Sequence, residues 1–335
     1  MEWDKGYSAS YYMMEVDPIT WKDTTRFEIK SGSISRKLDG LRQSAGVECT
    51  NYSRDKERYV RIYLDARQSG SGAHEALFTG LATSPDRSIR GTWSEDSVQC
   101  YSVLKPADDV ILARGYYAPR GISCTSVLKE LLAPIPAPIE FDSDAPALSY
   151  EIVAESGETN LTMVERVLSA IGWNMRIFGD GRIRFEPYGT DPMVTFDPIS
   201  FDVIETEVDV TSDWFDCPNV FMASGNGITT IAKDEDPESP LSIQNRGREV
   251  WFYESGIVLN ANETIGEYAQ RRLMEEQESV VTARYDRRYV PNVLPGDLVR
   301  LHYPAQDLND IYMVSSQTIT LGHSARTSEE IIGAN

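Results

Sequence analysis

The chain has 335 residues, of which 41% are apolar and 10% aromatic, and its formal net charge at pH 7 is −20. This length predicts two or three domains, and the apolar content excludes a mostly disordered chain. The excess of carboxylates repels phosphate groups, so the composition disfavours tight binding of nucleic acid.

Targeting and metal-binding signals are absent from the sequence. No stretch stays apolar over the roughly 18 residues that a transmembrane helix needs, so no stable membrane insertion is expected. The first residues carry neither the basic nor the apolar part of a secretory signal, which favours synthesis in a cytoplasm. The cysteines and histidines have no metal-ligand spacing, so we expect no metal, no cofactor and buried free thiols at Cys49, Cys100, Cys124 and Cys217.

Residues 1–109 show the pattern of an all-β region. In "RYVRIYLDAR", Arg58 to Arg67, apolar residues alternate with polar ones, which predicts a half-buried strand. The following "ALFTGLATS" predicts the returning strand of a hairpin, and the intervening "QSGSGAHE" is expected to be a mobile polar tip. Several strands at this spacing predict a barrel or a sandwich.

Residues 110–190 predict a small α/β module. The stretch "TSVLKELLAPI" has the apolar spacing of a short helix that stops at Pro134. A second helix is expected to open with a capping box formed by Thr162 and Glu165 and to end at Gly172. Asp180-Gly181 then predicts the tight turn of a β-hairpin.

Residues 191–335 predict a second β region, with a loop and a helix inserted at about 226–278. Thr264 and Glu267 have the spacing of a capping box at the start of the inserted helix. Further along, Pro295 and Gly296 suit the two central positions of a type II turn. Asp297 follows them, and its carboxylate is expected to bond the local backbone rather than to take part in catalysis.

The strand sequence "FDVIETEVDV" alternates acidic and mostly apolar residues. In a regular strand Glu205, Glu207 and Asp209 project to one side. Two interpretations stay open for this acidic face. It is either a solvated outer surface, or the wall of a channel enclosed by an oligomer.

No catalytic residue is assigned from the sequence. The Ser/Gly-rich and Gly-rich stretches lack the flanking residues of a nucleophile elbow, a Walker loop or a Rossmann fingerprint. A glycoside hydrolase needs two placed carboxylates, and no pair has diagnostic spacing. Aromatic side chains that could stack on a sugar fill cores more often; they are Trp93, Trp173, Trp214 and Trp251.

The order of these parts resembles the baseplate or tail-tip hub proteins of tailed phages and phage-like particles. The resemblance runs from about Thr25 to Leu321. It is carried in turn by "YVRIYLDAR…ALFTG", "VQCYSVLKPADDVIL", "GETNLTMVERVLSAIGW…GDGRI", "FDCPNVFMAS", "EYAQRRLMEEQ" and "YDRRYVPNVLPGDLVRL". It implies a mainly β (α+β) fold, in which two tube-type β-barrel domains flank the small α/β module.

The resemblance also implies a function and partners. Such a chain forms a homotrimeric hub at the distal end of the tail, inside the virion, and is not an enzyme. Its expected partners are the distal-tail or tube protein, the tape-measure protein and the tip spike or fibre proteins, while DNA only passes through. The alternatives are another tail component, such as a distal-tail or tube protein, and more remotely a carbohydrate-active enzyme.

Overall fold

The computed structural model describes residues 1–3, 5–50, 52, 56–83, 86–91, 93–197, 204–212, 214–225, 228–255, 257, 263–278, 281–303, 310–322 and 325–333. The predicted fold class is confirmed, because the protein is mainly β, with a small α/β module between two barrel-like β regions. Among the described helices, none is long and apolar enough to cross a membrane.

The first β region contains strands β1 (Ser8–Val16), β2 (Asp23–Lys37), β3 (Gln43–Thr50), β4 (Arg58–Gln68), β5 (Ser71–Ala82), β6 (Asp86–Arg90) and β7 (Trp93–Ser102). The order β1–β4–β5–β7–β3–β2 closes, since β1 pairs with both β4 and β2. These six strands therefore form a barrel, and β6 pairs with β7 outside that circuit.

The hairpin of β4 and β5 follows the predicted alternation. Val60, Ile62 and Leu64 are fully buried inside the barrel. The predicted mobile tip is wrong, because β4 and β5 pair as far as Gln68 and Ser71 and leave only a two-residue connection. The small polar residues of "QSGSGAHE" extend the strands, since their backbone groups pair across the hairpin.

The middle of the chain contains α1 (Lys105–Asp108), β8 (Tyr117–Ala118), α2 (Cys124–Leu131), β9 (Ile139–Phe141), β10 (Ile152–Val153), α3 (Asn160–Ile171), β11 (Trp173–Ile177) and β12 (Ile183–Pro187). Helices α2 and α3 share one core with the β11–β12 hairpin, as the helix-plus-hairpin prediction requires. Gly172 ends α3 in the left-handed conformation at φ 65°, which confirms the predicted helix end.

The predicted capping box at Thr162 is wrong. Thr159 is the N-cap of α3, and its hydroxyl accepts the backbone N–H of Thr162 at 3.2 Å. The Asn160 side chain donates to the Leu131 carbonyl at 2.7 Å, which ties the first turn of α3 to the end of α2. Glu165 consequently turns away from the cap and accepts the backbone N–H of Gly40 at 3.1 Å.

The remaining elements are β13 (Val194–Phe196), β14 (Ile204–Ser212), β15 (Val220–Gly225), β16 (Ile228–Lys233), α4 (Ile243–Arg246), β17 (Trp251–Ser255), α5 (Ile265–Glu278), β18 (Val281–Arg287), β19 (Leu298–Leu301), β20 (Ile311–Thr320) and β21 (Thr327–Gly333). Six of these strands form the second β region in the order β13–β19–β20–β21–β18–β14. Within the described residues, β13 and β14 are the edges of this set.

The segment between β14 and β18 contains more structure than the predicted loop and helix. Strands β16, β15 and β17 form a separate three-stranded sheet, and α5 packs on one of its faces through Phe221, Ala269 and Leu273. The predicted capping box is confirmed. The Glu267 carboxylate accepts the Thr264 N–H at 2.8 Å, and the Thr264 hydroxyl accepts the Glu267 N–H at 3.2 Å.

The two β regions are joined edge to edge. The second half of β2 pairs with the second half of β20, from Ser33 opposite Thr320 to Lys37 opposite Ser316. The sheet hydrogen bonds therefore run from the first barrel into the second region without interruption. The division of the chain at 1–109, 110–190 and 191–335 stays a prediction.

Candidate functional site

The turn at Pro295 and Gly296 lies in the connection between β18 and β19, directly before β19. Gly296 has φ +94°, and the Asp297 N–H donates to the Leu294 carbonyl at 3.0 Å across the turn. The Asp297 carboxylate accepts the Leu294 N–H at 2.8 Å. The Asp297 side chain therefore has a structural role, because its carboxylate stabilises the turn that precedes it.

Asp297 also has a partner far away in the sequence. Arg176 of β11 donates to Asp297 at 2.9 Å and to Glu186 at 3.0 Å, so one guanidinium joins the hairpin to the turn. Burial raises the pKa of Asp297 to about 6, although the Arg176 charge and the Leu294 N–H act in the opposite direction. Sequence reasoning missed this pair because nothing near either residue in the chain indicates the other.

A groove lies beside this ion pair. It has a volume of about 340 Å³, and its acidic lining consists of Asp142, Glu186, Asp191 and Asp297. Arg176 neutralises two of these carboxylates. Across the described residues, no group of three or more His, Cys, Asp or Glu side chains is arranged to hold a metal ion.

The acidic residues of β14 line an open groove of about 440 Å³ on the second β region. Glu205, Glu207 and Asp209 face it together, although the pairing with β18 shifts register between Ile204 and Val208. The groove also contains Arg284 and Arg326 from β18 and the β20–β21 connection, with Asp286 and Glu330. These neighbours came from distant parts of the chain and were not predicted.

Only part of this acidic face is neutralised. Arg326 pairs with Glu205 at 2.9 Å and also contacts Asp286. Glu207 and Asp209 are exposed, and within the described residues neither has a hydrogen bond or an ion pair. The groove therefore keeps a net negative charge at the edge strand of the sheet.

A buried polar network lies behind this face. Arg287 of β18 and Glu329 of β21 form a bidentate pair at 2.7 and 2.8 Å, and both side chains are almost completely inaccessible to solvent. Tyr285 and Gln317 donate to the same carboxylate at 2.6 and 2.5 Å. Burial by itself disfavours the charge on Glu329, but Arg287 and these hydrogen bonds hold its pKa below the ordinary value.

The network continues into the first barrel. Arg36 of β2 donates to Gln317 at 3.4 Å and to the Leu77 carbonyl of β5 at 2.6 Å. Arg36 is 3% exposed, and burial lowers its pKa. A charged group is tolerated there because it is held by acceptors from both β regions. The junction between the regions is thus polar and specific rather than a loose apolar contact.

The β11–β12 hairpin is docked against the first barrel through its turn. Thr79 donates to the Gly179 carbonyl at 2.7 Å, while Arg61 and the Trp21 indole donate to the Asp180 carbonyl at 3.0 and 3.1 Å. A Cβ on Gly179 would lie 1.7 Å from the Ala76 carbonyl oxygen. The Gly-Asp-Gly turn predicted from sequence is therefore also a close contact between two parts of the molecule.

Cysteines and tryptophans have different environments. All four cysteines are buried, as predicted, and burial raises the pKa of the Cys124 thiol to about 11. Trp173 is a core residue, whereas Trp214 and Trp251 are 48% and 49% exposed and do not fill a core. The side chain of Trp93 lies outside the described residues.

Comparison with solved structures shows that phage tail proteins have a similar fold. The 43 kDa tail protein of prophage MuSo2 from Shewanella oneidensis superposes with a TM-score of 0.68 at 14% identity, over 96% of this chain and 97% of that one. A tail protein from Neisseria meningitidis gives 0.69 at 15% identity, over 98% and 97% of the two chains. The predicted resemblance to phage tail proteins is therefore confirmed at the level of the fold.

A third tail protein has the same architecture with a looser fit. Prophage tail protein gp18 from Listeria monocytogenes superposes with a TM-score of 0.56 at 13% identity, over 97% of this chain and 94% of that one. No protein-family model matches the sequence, and no curated protein matches it. The likeness is thus carried by the three-dimensional fold and not by close sequence relatedness.

Proposed function

We propose that this protein is a structural component of the tail of a phage or phage-like particle, and that three copies form a hub ring at the distal end of the tail. The observation that carries this proposal is the end-to-end likeness to the prophage MuSo2 tail protein and to the Neisseria meningitidis tail protein, in which nearly all of each chain takes part. A match to a single shared domain would cover only part of each chain.

The hub ring joins the distal-tail or tube protein to the spike or fibre proteins and surrounds the end of the tape-measure protein. The three parts 1–109, 110–190 and 191–335 act as two barrel domains and a module between them. The buried polar junction at Arg36, Gln317 and Glu329 supports a fixed relation of the two β regions. A fixed relation suits a closed ring in which three copies contribute two barrels each.

The acidic face of β14 lines the channel of this ring. Glu207 and Asp209 are exposed and unneutralised within the described residues, and three copies carry a formal charge of −60, from three times −20. Such a wall repels DNA phosphates, so DNA passes without adhering. Mapping the channel wall in assembled particles tests this assignment, and a neutral or basic wall would contradict it.

Image reconstruction of tail particles that carry a tagged copy of this chain tests the hub assignment. We expect three copies in a ring at the tip, and particles without the chain should lack an assembled tip. Copies stacked along the tube, or a ring of six, would instead support the distal-tail or tube alternative. Hydrolysis of a host polysaccharide by the isolated chain would support the remaining alternative, an enzyme.

A further inference from the structure

The three-stranded sheet of β16, β15 and β17 has one uncovered face. Helix α5 covers the side that carries Phe221. On the opposite side, the register places Trp251 beside Val220 and Tyr253 beside Met222 and Ile231. Trp251, Tyr253 and Ile231 are 49%, 56% and 46% exposed, so an apolar, aromatic surface is left without a covering element in the described residues.

This surface ends at a free strand edge. Among the described strands, β17 pairs with β15 alone, so its other side presents unpaired backbone N–H and C=O groups. A free, aromatic-rich edge of this kind is a template for pairing with another strand. The surface is therefore suited to an extended segment that supplies both backbone pairing and apolar contact.

Arg246 and Arg248 precede the same strand, and the neighbouring Glu249 is already paired with Lys233 at 2.6 Å. Arg246 donates to the backbone carbonyls of Trp214 and Cys217 at 2.7 and 2.5 Å. The Arg248 guanidinium lies 4.6 Å from the centre of the Phe215 ring. In the part of the chain that the structure describes, neither arginine forms an ion pair with a carboxylate, so their charges are available to an acidic partner.

Among the described strands, β14 has an edge with the properties that complement β17, namely unpaired backbone groups and a negative charge. Strand β14 pairs with β18 alone among the described strands, and it carries the exposed carboxylates of Glu207 and Asp209 without cationic partners there. Val210 on the same strand is 45% exposed. Both edges thus have unpaired backbone groups and exposed apolar side chains, and their charges are opposite in sign.

We propose that the β17 edge, with Arg248, Trp251 and Tyr253, binds the acidic β14 edge of a second copy of this chain. The contact is heterologous, because different surfaces of the two copies meet, and repetition of such a contact closes a ring when the rotation allows. The inference rests on the proposed function, in which copies form a ring. Edge pairing uses the backbone, so the β14 carboxylates stay on one face of the joined sheet. Arg248 of the second copy offsets one negative charge there, and the groove remains acidic because its carboxylates outnumber its arginines.

Charge exchange tests the proposed pairing in the full chain. Sedimentation velocity should show concentration-dependent association, which Arg248→Glu or Glu207→Arg weakens about tenfold through like-charge contact. The two substitutions combined should restore association to within about threefold of the wild type. Arg120→Glu, which makes the same charge change at an exposed site on the middle module, should leave association unchanged.

Photo-crosslinking identifies the strand that is contacted. A benzoylphenylalanine at position 253, in a mixture of isotopically light and heavy chains, should give light–heavy products that map to 204–212. Three results would each overturn the inference. The chain could stay monomeric up to its solubility limit, its association could be unchanged by Arg248→Glu and by Glu207→Arg, or the cross-links could map to another segment. A hub ring seen in tail particles alongside any of these results would leave the proposed function standing.

Discussion

Arg176 Nη2 lies 2.9 Å from Asp297 Oδ2, and both side chains are at least nine-tenths buried. This ion pair joins a hairpin of the middle module to the turn before β19. Asp297 therefore has two structural tasks, since it closes its own turn and anchors the hairpin. The pair gives the Pro-Gly-Asp turn a role in holding the middle module against the second β region.

Replacement of Gly296 is expected to be more harmful than replacement of Asp297. In Gly296→Ala, an L-residue must adopt φ +94°, and its Cβ would lie 2.4 Å from the Asn174 amide nitrogen. We expect a loss of about 1–3 kcal/mol in the free energy of unfolding. Asp297→Asn keeps an acceptor for the Leu294 N–H, and Arg176 keeps Glu186, so its loss should be smaller.

Urea unfolding monitored by circular dichroism measures this difference. Gly189→Ala is the matched control, because a Cβ there meets nothing within 4 Å, and it should change stability by less than about 0.5 kcal/mol. Equal stability of the Gly296 and Asp297 variants would contradict the assignment of the turn.

The pH dependence of stability should carry a contribution from Asp297. Its pKa in the folded protein is about 6, above the ordinary value of 3.8, so the folded state holds more protons between these values. The stabilising contribution of protonated Asp297 is fully present below the ordinary pKa of 3.8, and it is lost as the pH rises through about 6. Each pKa unit corresponds to about 1.4 kcal/mol, so the free energy of unfolding should be up to about 3 kcal/mol higher at low pH than at high pH through this group.

Asp297→Asn provides the measurement of this contribution. The stability of the wild type relative to the variant should fall between pH 4 and pH 7 in chemical unfolding experiments. Asp191→Asn, at an exposed position of the same groove, retains Asp297 and should keep the wild-type profile. A constant difference between wild type and Asp297→Asn over this range would rule out a raised pKa.

Glu329 should be far less tolerant of neutralisation than its neighbour Glu330. Glu329→Gln leaves the Arg287 charge buried, and the loss of one partner of a buried pair costs about 3–5 kcal/mol. Glu330→Gln removes a solvent-accessible pair with Arg284 and should cost less than about 1 kcal/mol. Thermal unfolding of the two variants compares them directly, and similar melting temperatures would show that the buried network contributes little.

Gly179→Ala should loosen the hairpin from the first barrel. The new Cβ would lie 1.7 Å from the Ala76 carbonyl oxygen, so the turn or strand β5 must shift, at a cost of about 1–3 kcal/mol. Hydrogen exchange should accelerate in β11 and β12 but not in α5. Gly322→Ala, where a Cβ meets nothing within 4 Å, serves as the control. Unchanged exchange in the hairpin would show that the docking tolerates the shift.

Elements set by neighbouring residues were predictable from the sequence. The alternation of β4, the end of α3 at Gly172 and the Thr264–Glu267 capping box depend on residues a few positions apart. The acidic side of β14 was also visible, because strand alternation places every second residue on one face. The arginines that share its groove could not be predicted, since they come from β18 and the β20–β21 connection, more than 70 residues away in the chain.

By itself the sequence determined the β-rich class, the helix-plus-hairpin module, the buried thiols and the acidic strand, since composition and short-range periodicity carry this information. Only the tertiary structure decided which threonine caps α3, because the bond from Asn160 to Leu131 depends on how two helices meet. It alone revealed the parallel pairing of β17 with β15 and the pairing of Arg176 with Asp297. These contacts join distant segments, and their free energy is gained only after the whole chain has closed around them.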